Sequence, residues 1–317
     1  QHGAAAAVGA RRSMAMSPFT ARPRQGPDEE LAAQGLQLPA VGGVLELLRA
    51  SFTRAPSAAA LRWNGGLAGG EGSGRTGEEQ TWSYEGLWAA GCRAAAALRA
   101  ELGAVSEAAP LAPRVGVMVT EGAGLPLAEL AVLLAGGAVV PLDPGDPPAR
   151  LQLLLEDAEL ALAVVADGAE AAAAALREAC GGLRTVTVSA LLPTGPAEAQ
   201  AAPLSAPPVL PAGDSVSHVF FTSGSTGRPK GCVCTHDNLA SYCLAKNALH
   251  GVTEASVVFV ASAHTFDPSI GDFFATWAAG ACVAIAPRAV LGAFLGPCLR
   301  AAGATHLLAT PALFGTL

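Results

Sequence analysis

The stretch that decides the fold class is VGVMVTEGAGLPLAELAVLLAGGAVVPLDPGDPPARLQLLLEDAELALAVVA, residues 115–166. It reads as a buried strand Val115–Val119, a helix Pro126–Ala135, a strand Ala138–Leu142, a helix Pro147–Asp157 and a strand Leu160–Ala166. Short apolar runs alternating with helices of about ten residues are βαβ units, which stack their strands in parallel. Gly136-Gly137 is placed to end the first of these helices, because glycine takes the positive φ of a helix C-terminus without a Cβ clash. Pro147 opens the next helix, where its missing N–H costs nothing.

The pattern extends both ways. Upstream, helices are expected at Val44–Thr53 and Tyr84–Leu102, separated by a Gly-rich polar loop at residues 64–79. Downstream, Ala169–Cys180 and Leu183–Val188 continue the alternation up to an Ala/Pro-rich linker at residues 193–211. A second series follows: strands Val216–Thr222, Gly231–Cys234, Val257–Ala261, Ala281–Ala286 and His306–Ala309, with helices Asp237–Leu249, Asp267–Ala279 and Gly292–Ala302. The expected fold is α/β, as two consecutive α/β subdomains with largely parallel sheets flanked by helices. Residues 1–40 read as a disordered leader, 41–210 as the first subdomain, and 211–317 as the second, incomplete one.

Composition narrows the function classes. Of 317 residues, 19 are Lys or Arg and 26 are Asp or Glu, giving a net charge of −7. Broad electrostatic binding to nucleic acid or to acidic lipid needs a basic face, so both are excluded. The longest charge-free apolar runs, Leu130–Leu142 and Phe273–Pro287, have 13 and 15 residues. A membrane-spanning helix needs about 20. Seven cysteines, an odd number without scaffold spacing, fit a reducing, cytoplasmic compartment. The acid-free leader with Arg11, Arg12, Arg22 and Arg24 fits an organellar import segment or a disordered linker equally. A first residue of Gln1 reads as a fragment or a processed product.

The segment with chemistry is FFTSGSTGRPKG, residues 220–231. An apolar strand runs into Thr222, Ser223, Gly224, Ser225, Thr226 and Gly227. Two glycines let backbone N–H groups converge, four hydroxyls add rotatable donors, and Lys230 adds a cation after Pro229. Such a concave array suits phosphate oxygens. Two phosphate or nucleophile motifs fail. Arg-Pro separates Gly227 from Lys230 where a P-loop needs Gly-Lys, and Ser223 stands where a nucleophile elbow needs Gly. A Ser/Gly linker is the plain alternative, but it has no reason to end in Pro-Lys-Gly.

Residues 222–231 resemble the signature loop of the adenylate-forming superfamily. Thr81-Trp82-Ser83-Tyr84 with Leu87, Leu134–Pro144 with Pro147, Arg150 and Leu151, and Phe266-Asp267-Pro268-Ser269 are similar to further motifs of its amino-acid adenylation branch. The resemblance implies activation of a carboxylate by ATP, with Mg2+ assisting, as an acyl adenylate with release of pyrophosphate. Transfer to a phosphopantetheine or coenzyme A thiol, on a carrier-protein domain in the first case, would follow. It implies that Thr222, Ser223, Gly224, Ser225, Thr226, Gly227 and Lys230 hold the β- and γ-phosphates, with Lys230 and Thr222 acting in catalysis. The family's adenine and ribose motifs and its small C-terminal domain have no match here, which implies that this stretch alone is inactive or nearly so. An acyl- or aryl-CoA ligase and a catalytically incomplete nucleotide-binding module are the alternatives.

For the substrate, the resemblance implies that Asp267 pairs with an amino acid's ammonium, while Pro268, Gly271 and His264 line the pocket. Residue chemistry gives Asp267 a second reading, as a helix N-cap with Pro268 at N1. His264 also fits a core histidine. Cys232, Cys234 and His236 alternate, and a metal site would need a fourth ligand, for which Cys243 is the only near candidate; the cysteines read instead as small buried apolar residues, and the resemblance implies a structural His236.

Overall fold

The computed structural model describes residues 42–65, 79–103, 112–193, 195–201, 208–222 and 228–317. The leader, most of the Gly-rich loop and residues 223–227 lie outside them. In chain order the strands are β1 (Ala59–Trp63), β2 (Gln80–Ser83), β3 (Arg114–Met118), β4 (Ala138–Pro141), β5 (Leu162–Val165), β6 (Thr185–Thr187), β7 (Val216–Thr222), β8 (Lys230–Thr235), β9 (Val257–Val260), β10 (Cys282–Ile285) and β11 (His306–Leu308). The helices that frame them are α1 (Val44–Arg54), α2 (Tyr84–Leu102), α3 (Gly124–Leu134), α4 (Pro148–Ala158), α5 (Glu170–Ala179), α6 (Val188–Leu191), α7 (Pro196–Ala201), α8 (His236–His250), α9 (Asp267–Ala279), α10 (Arg288–Ala302) and α11 (Pro311–Phe314).

The strands form two mostly parallel sheets, one ordered β6-β5-β3-β4-β7-β8 and the other β11-β9-β10-β1-β2. Among the described strands only the β7–β8 and β1–β2 pairs are antiparallel. This pairing crosses the boundary that the sequence places near residue 210. β7 and β8, beyond the linker, join β4 in the first sheet, while β1 and β2 join β10 in the second. The linker itself carries a helical turn, α7, where the sequence suggested irregular chain.

Alternation along the strands sets the layers. Val115, Val117, Val139, Leu162 and Val164 face a core that also takes Leu61, Trp63, Val283 and Ile285 from the other sheet, with α1, α2, α3, α8 and α9 between them. Their neighbours Met118, Val140, Ala163 and Val165 face α4 and α5 on the outer side. Successive strand residues point to opposite faces, so both faces are apolar wherever both are covered. α3 buries ten of its eleven residues, all apolar except Glu129, as a helix between two sheets must. It ends as the sequence suggested: Gly136 has φ +83°, and the Gly137 N–H donates to the Val132 carbonyl at 3.0 Å. Tyr84 and Trp277 tie the middle layer to the second sheet through polar tips, Tyr84 Oη donating to the Ala281 carbonyl at 2.6 Å and Trp277 Nε1 to the Ala60 carbonyl at 3.0 Å.

Candidate functional site

The β7–β8 hairpin carries the first group of candidate residues. Thr222 ends β7, Lys230 begins β8, and the two are register partners, as are Phe221 with Gly231 and Phe220 with Cys232. Residues directly opposite in an antiparallel pair project to one face, so the Thr222 hydroxyl and the Lys230 ammonium share a side of the hairpin. Thr222 Oγ1 donates to the Lys230 carbonyl at 3.5 Å. The residues that flank the Ser/Gly segment are therefore paired with each other; Ser223, Gly224, Ser225, Thr226 and Gly227 themselves lie outside the described residues. Pro229 is buried, and exposed Arg228 reaches Glu156 of α4 at 2.9 Å, which orients the end of the segment for little net energy. Lys230 is exposed and, among the described residues, forms no ion pair.

Behind the hairpin, the site rests on neutral histidines. His218 of β7 is buried, stacks on Phe220 with centroids 5.7 Å apart, and meets the edge of Phe274. Burial, reinforced by nearby His236, lowers its pKa to about 3; burial lowers that of His236 to about 4. Both rings are uncharged at neutral pH and add no positive field to the hairpin. His236 starts α8 after a capping box between Thr235 and Asn238. This agrees with a structural role.

The second wall is the start of α9. The sequence left Asp267 as either a cap or a binding group, and the cap reading is corrected here. Phe266 occupies the N-cap with an extended backbone and no side-chain cap bond, so Asp267 is the first helical residue. Pro268 comes one position later, since its fixed φ is compatible with the first turn. Asp267 is exposed, and among the described residues no cation pairs with it. It lies close enough to Cys234 and Tyr242 to raise the pKa of both, after the larger effect of burial. Asp267 is thus within electrostatic reach of Cys234, near the end of β8 opposite Lys230.

The other expected residues divide. Gly271 faces the ring of Tyr242 on α8. His264 is buried, with Nε2 3.0 Å from the Leu142 carbonyl, so the ring edge that would serve a ligand is engaged by backbone. Burial lowers its pKa. Cys232 is exposed and Cys234 half-buried, contrary to the expectation of two buried apolar residues, because β8 is an edge strand. Among the described residues no three acidic, histidine or cysteine groups gather as a metal site. No helix of the described part is long and apolar enough to cross a membrane. Tyr242, which the sequence analysis did not single out, meets Gly271 across the α8–α9 packing.

Residues 48–317 match the AMP-binding enzyme family. The chain belongs to that family. Among curated relatives, this AMP-binding family member is 41% identical over 161 residues to nonribosomal peptide synthetase atnA of Emericella nidulans, covering 50% of the chain and 2% of the relative. It is 31% identical over 277 residues to nonribosomal peptide synthetase sidC of Arthroderma benhamiae, covering 84% of the chain and 5% of the relative. The chain thus aligns with a small part of those relatives' lengths. The structure of VinN with 3-methylaspartate matches the fold with a TM-score of 0.69 at 23% identity, over 88% of the chain and 69% of VinN.

Proposed function

We propose that the protein containing this chain activates an amino acid as an acyl adenylate and then passes the acyl group to a thiol. The observation that carries the reading is the pairing of Thr222 with Lys230 at the two flanks of the Ser/Gly segment, with Asp267, which pairs with no cation among the described residues, in electrostatic reach of Cys234 on the same strand as Lys230. Membership of the AMP-binding enzyme family and the peptide synthetase relatives support it.

In the first step a substrate carboxylate oxygen attacks the α-phosphorus of ATP, and the bond to pyrophosphate breaks. Both reactants are anionic, so the barrier falls when fixed donors and cations neutralise the phosphates and hold the line of attack. The hydroxyls of Thr222, Ser223, Ser225 and Thr226, the backbone around Gly224 and Gly227, and the Lys230 ammonium take that role on the β- and γ-phosphates. Lys230 suits it because no carboxylate in the described part already neutralises it. Asp267 takes the substrate's ammonium, which sets the carboxylate of an α-amino acid a fixed distance away. Fatty and aryl acids offer Asp267 nothing. The described residues gather no acidic cage, so magnesium would arrive with the triphosphate, as is usual for this ion. A phosphopantetheine thiol on a carrier domain is the acceptor that fits the peptide synthetase relatives, with coenzyme A as the alternative.

The test is amino-acid-dependent pyrophosphate exchange in the full-length protein. Lys230→Ala should lower kcat by roughly 10²–10³-fold, the usual effect of removing one preorganised charge-stabilising donor, with the melting temperature unchanged because the side chain is exposed. Wild-type exchange in the variant would contradict the assignment of the segment. Exchange with fatty or aryl acids alone would favour the acyl- or aryl-CoA ligase reading.

A further inference from the structure

Glycine within a helix costs about 0.5–1 kcal/mol relative to alanine, so Gly271, in the second turn of α9, calls for a reason. The reason is on α8. A Cβ built at Gly271 would lie 2.8 Å from the Tyr242 hydroxyl oxygen and 2.9 Å from Cζ, and closer still to Cε1. The phenol ring therefore lies directly on the α9 backbone, in the space where a side chain at 271 would stand. α8 and α9 run side by side in the same sense here: Tyr242 meets Gly271, Lys246 pairs with Asp272, and the Asn247 amide donates to the Ala275 carbonyl at 2.7 Å. That alignment fixes the ring one turn below Asp267.

The ring is not a core residue. Tyr242 is 40% exposed, so one side of it remains open. Asp272 and Asp267 both act on its hydroxyl; together with the larger effect of burial they push its pKa up to about 12. The phenol is thus neutral, within electrostatic reach of the proposed ammonium-binding carboxylate, and partly uncovered.

We propose that Tyr242 is a specificity-determining residue of the amino-acid site: its ring, seated on Gly271, forms the wall that the substrate's side chain meets and restricts the substrate to small neutral side chains. This rests on the reading of Asp267 given above. The wall is movable in sequence terms, because the volume lies in an exposed side chain of α8 and not in the backbone of α9. Acidic side chains are disfavoured as well, since Asp267, exposed and without a cation among the described residues, already acts on Tyr242.

The experiment is pyrophosphate exchange by the full-length protein over amino acids of graded size, glycine, alanine, serine, valine, leucine and phenylalanine, with aspartate as the charged control. Wild type should prefer the first three. Tyr242→Ala should raise the kcat/KM ratio of leucine to alanine by tenfold or more, whereas Tyr242→Phe should keep the wild-type order. Tyr242→Val, intermediate in volume, should fall between them and serves if the alanine variant does not fold. A folded, active Tyr242→Ala with the wild-type order overturns the proposal, as does a wild type that prefers leucine or phenylalanine, or a folded alanine variant inactive with every amino acid. These results leave the reading of Asp267 standing. Exchange with no amino acid at all, in wild type, overturns that reading and this proposal together.

Discussion

Two carboxylates are buried in the same core, and the chain treats them differently. Asp272 on α9 and Glu129 on α3 are both without exposed surface, and their helices pack into one apolar cluster. Asp272 is paired with Lys246, and its pKa, raised by burial and partly restored by that cation, is about 6. Among the described residues Glu129 has no hydrogen-bond partner on either oxygen, and burial raises its pKa to about 8. A charge taken out of water must be paired or neutralised. Asp272, beside the candidate site, stays largely ionised at neutral pH through a partner on the adjacent helix. Glu129 gives up its charge and sits in α3 as a neutral acid.

Removing the partner should have the largest effect. Lys246→Met leaves Asp272 buried and unpaired, which should cost about 3–5 kcal/mol in chemical denaturation of the chain. A loss below about 1 kcal/mol would mean that the pair is solvated and the contrast with Glu129 false. The converse change should stabilise. Glu129→Met keeps the volume and removes the titration. The folded pKa of Glu129 lies above its unfolded value near 4.5, so the wild type loses stability as pH rises from about 4.5 to about 8. The variant should gain about 3 kcal/mol at pH 7 and nothing below pH 4.5, read as denaturation midpoints across that range. A pH-independent difference would show that packing and not ionisation separates the two acids.

The smallest effect tests whether buried bases follow the same rule. The folded pKa of His218 is lowered to about 3, so below pH 6.5 the unfolded chain binds a proton that the folded chain refuses. Stability from this group is intact above pH 6.5 and declines as pH falls towards 3. Between pH 6.5 and 5.5 that amounts to about 1 kcal/mol, which His218→Phe should remove from the acid limb of the stability profile.

Much of this architecture was legible in the chain. α2 and β7 fall at the expected bounds, and β3, α3, β4, α4 and β5 lie within a few residues of the reading of residues 115–166. The reason is strong local signal, with apolar runs punctuated by Gly136, Pro147 and other breakers. β1 and β2 gave none: Ala59–Trp63 and Gln80–Ser83 are four or five residues of mixed character, and they become strands because β10 offers Leu61, Arg62 and Trp63 a parallel ladder. In the candidate site, Thr222 and Lys230 could be named from sequence, because a hydroxyl- and glycine-rich segment ending in a cation is chemically specific, and Asp267 through the resemblance of residues 266–269 to a family motif. Tyr242 could not, since it meets Gly271 only through the packing of α8 on α9.

By itself the sequence determined the α/β class, the order of most elements and the hydroxyl, glycine and lysine make-up of the Ser/Gly segment, since each depends on chemistry within a few residues. Only the tertiary structure decided which sheet each strand joins, that Phe266 caps α9 and not Asp267, and that Tyr242 covers Gly271. Those depend on which surfaces meet across long stretches of chain, where pairing and burial, not local preference, set the lower free energy.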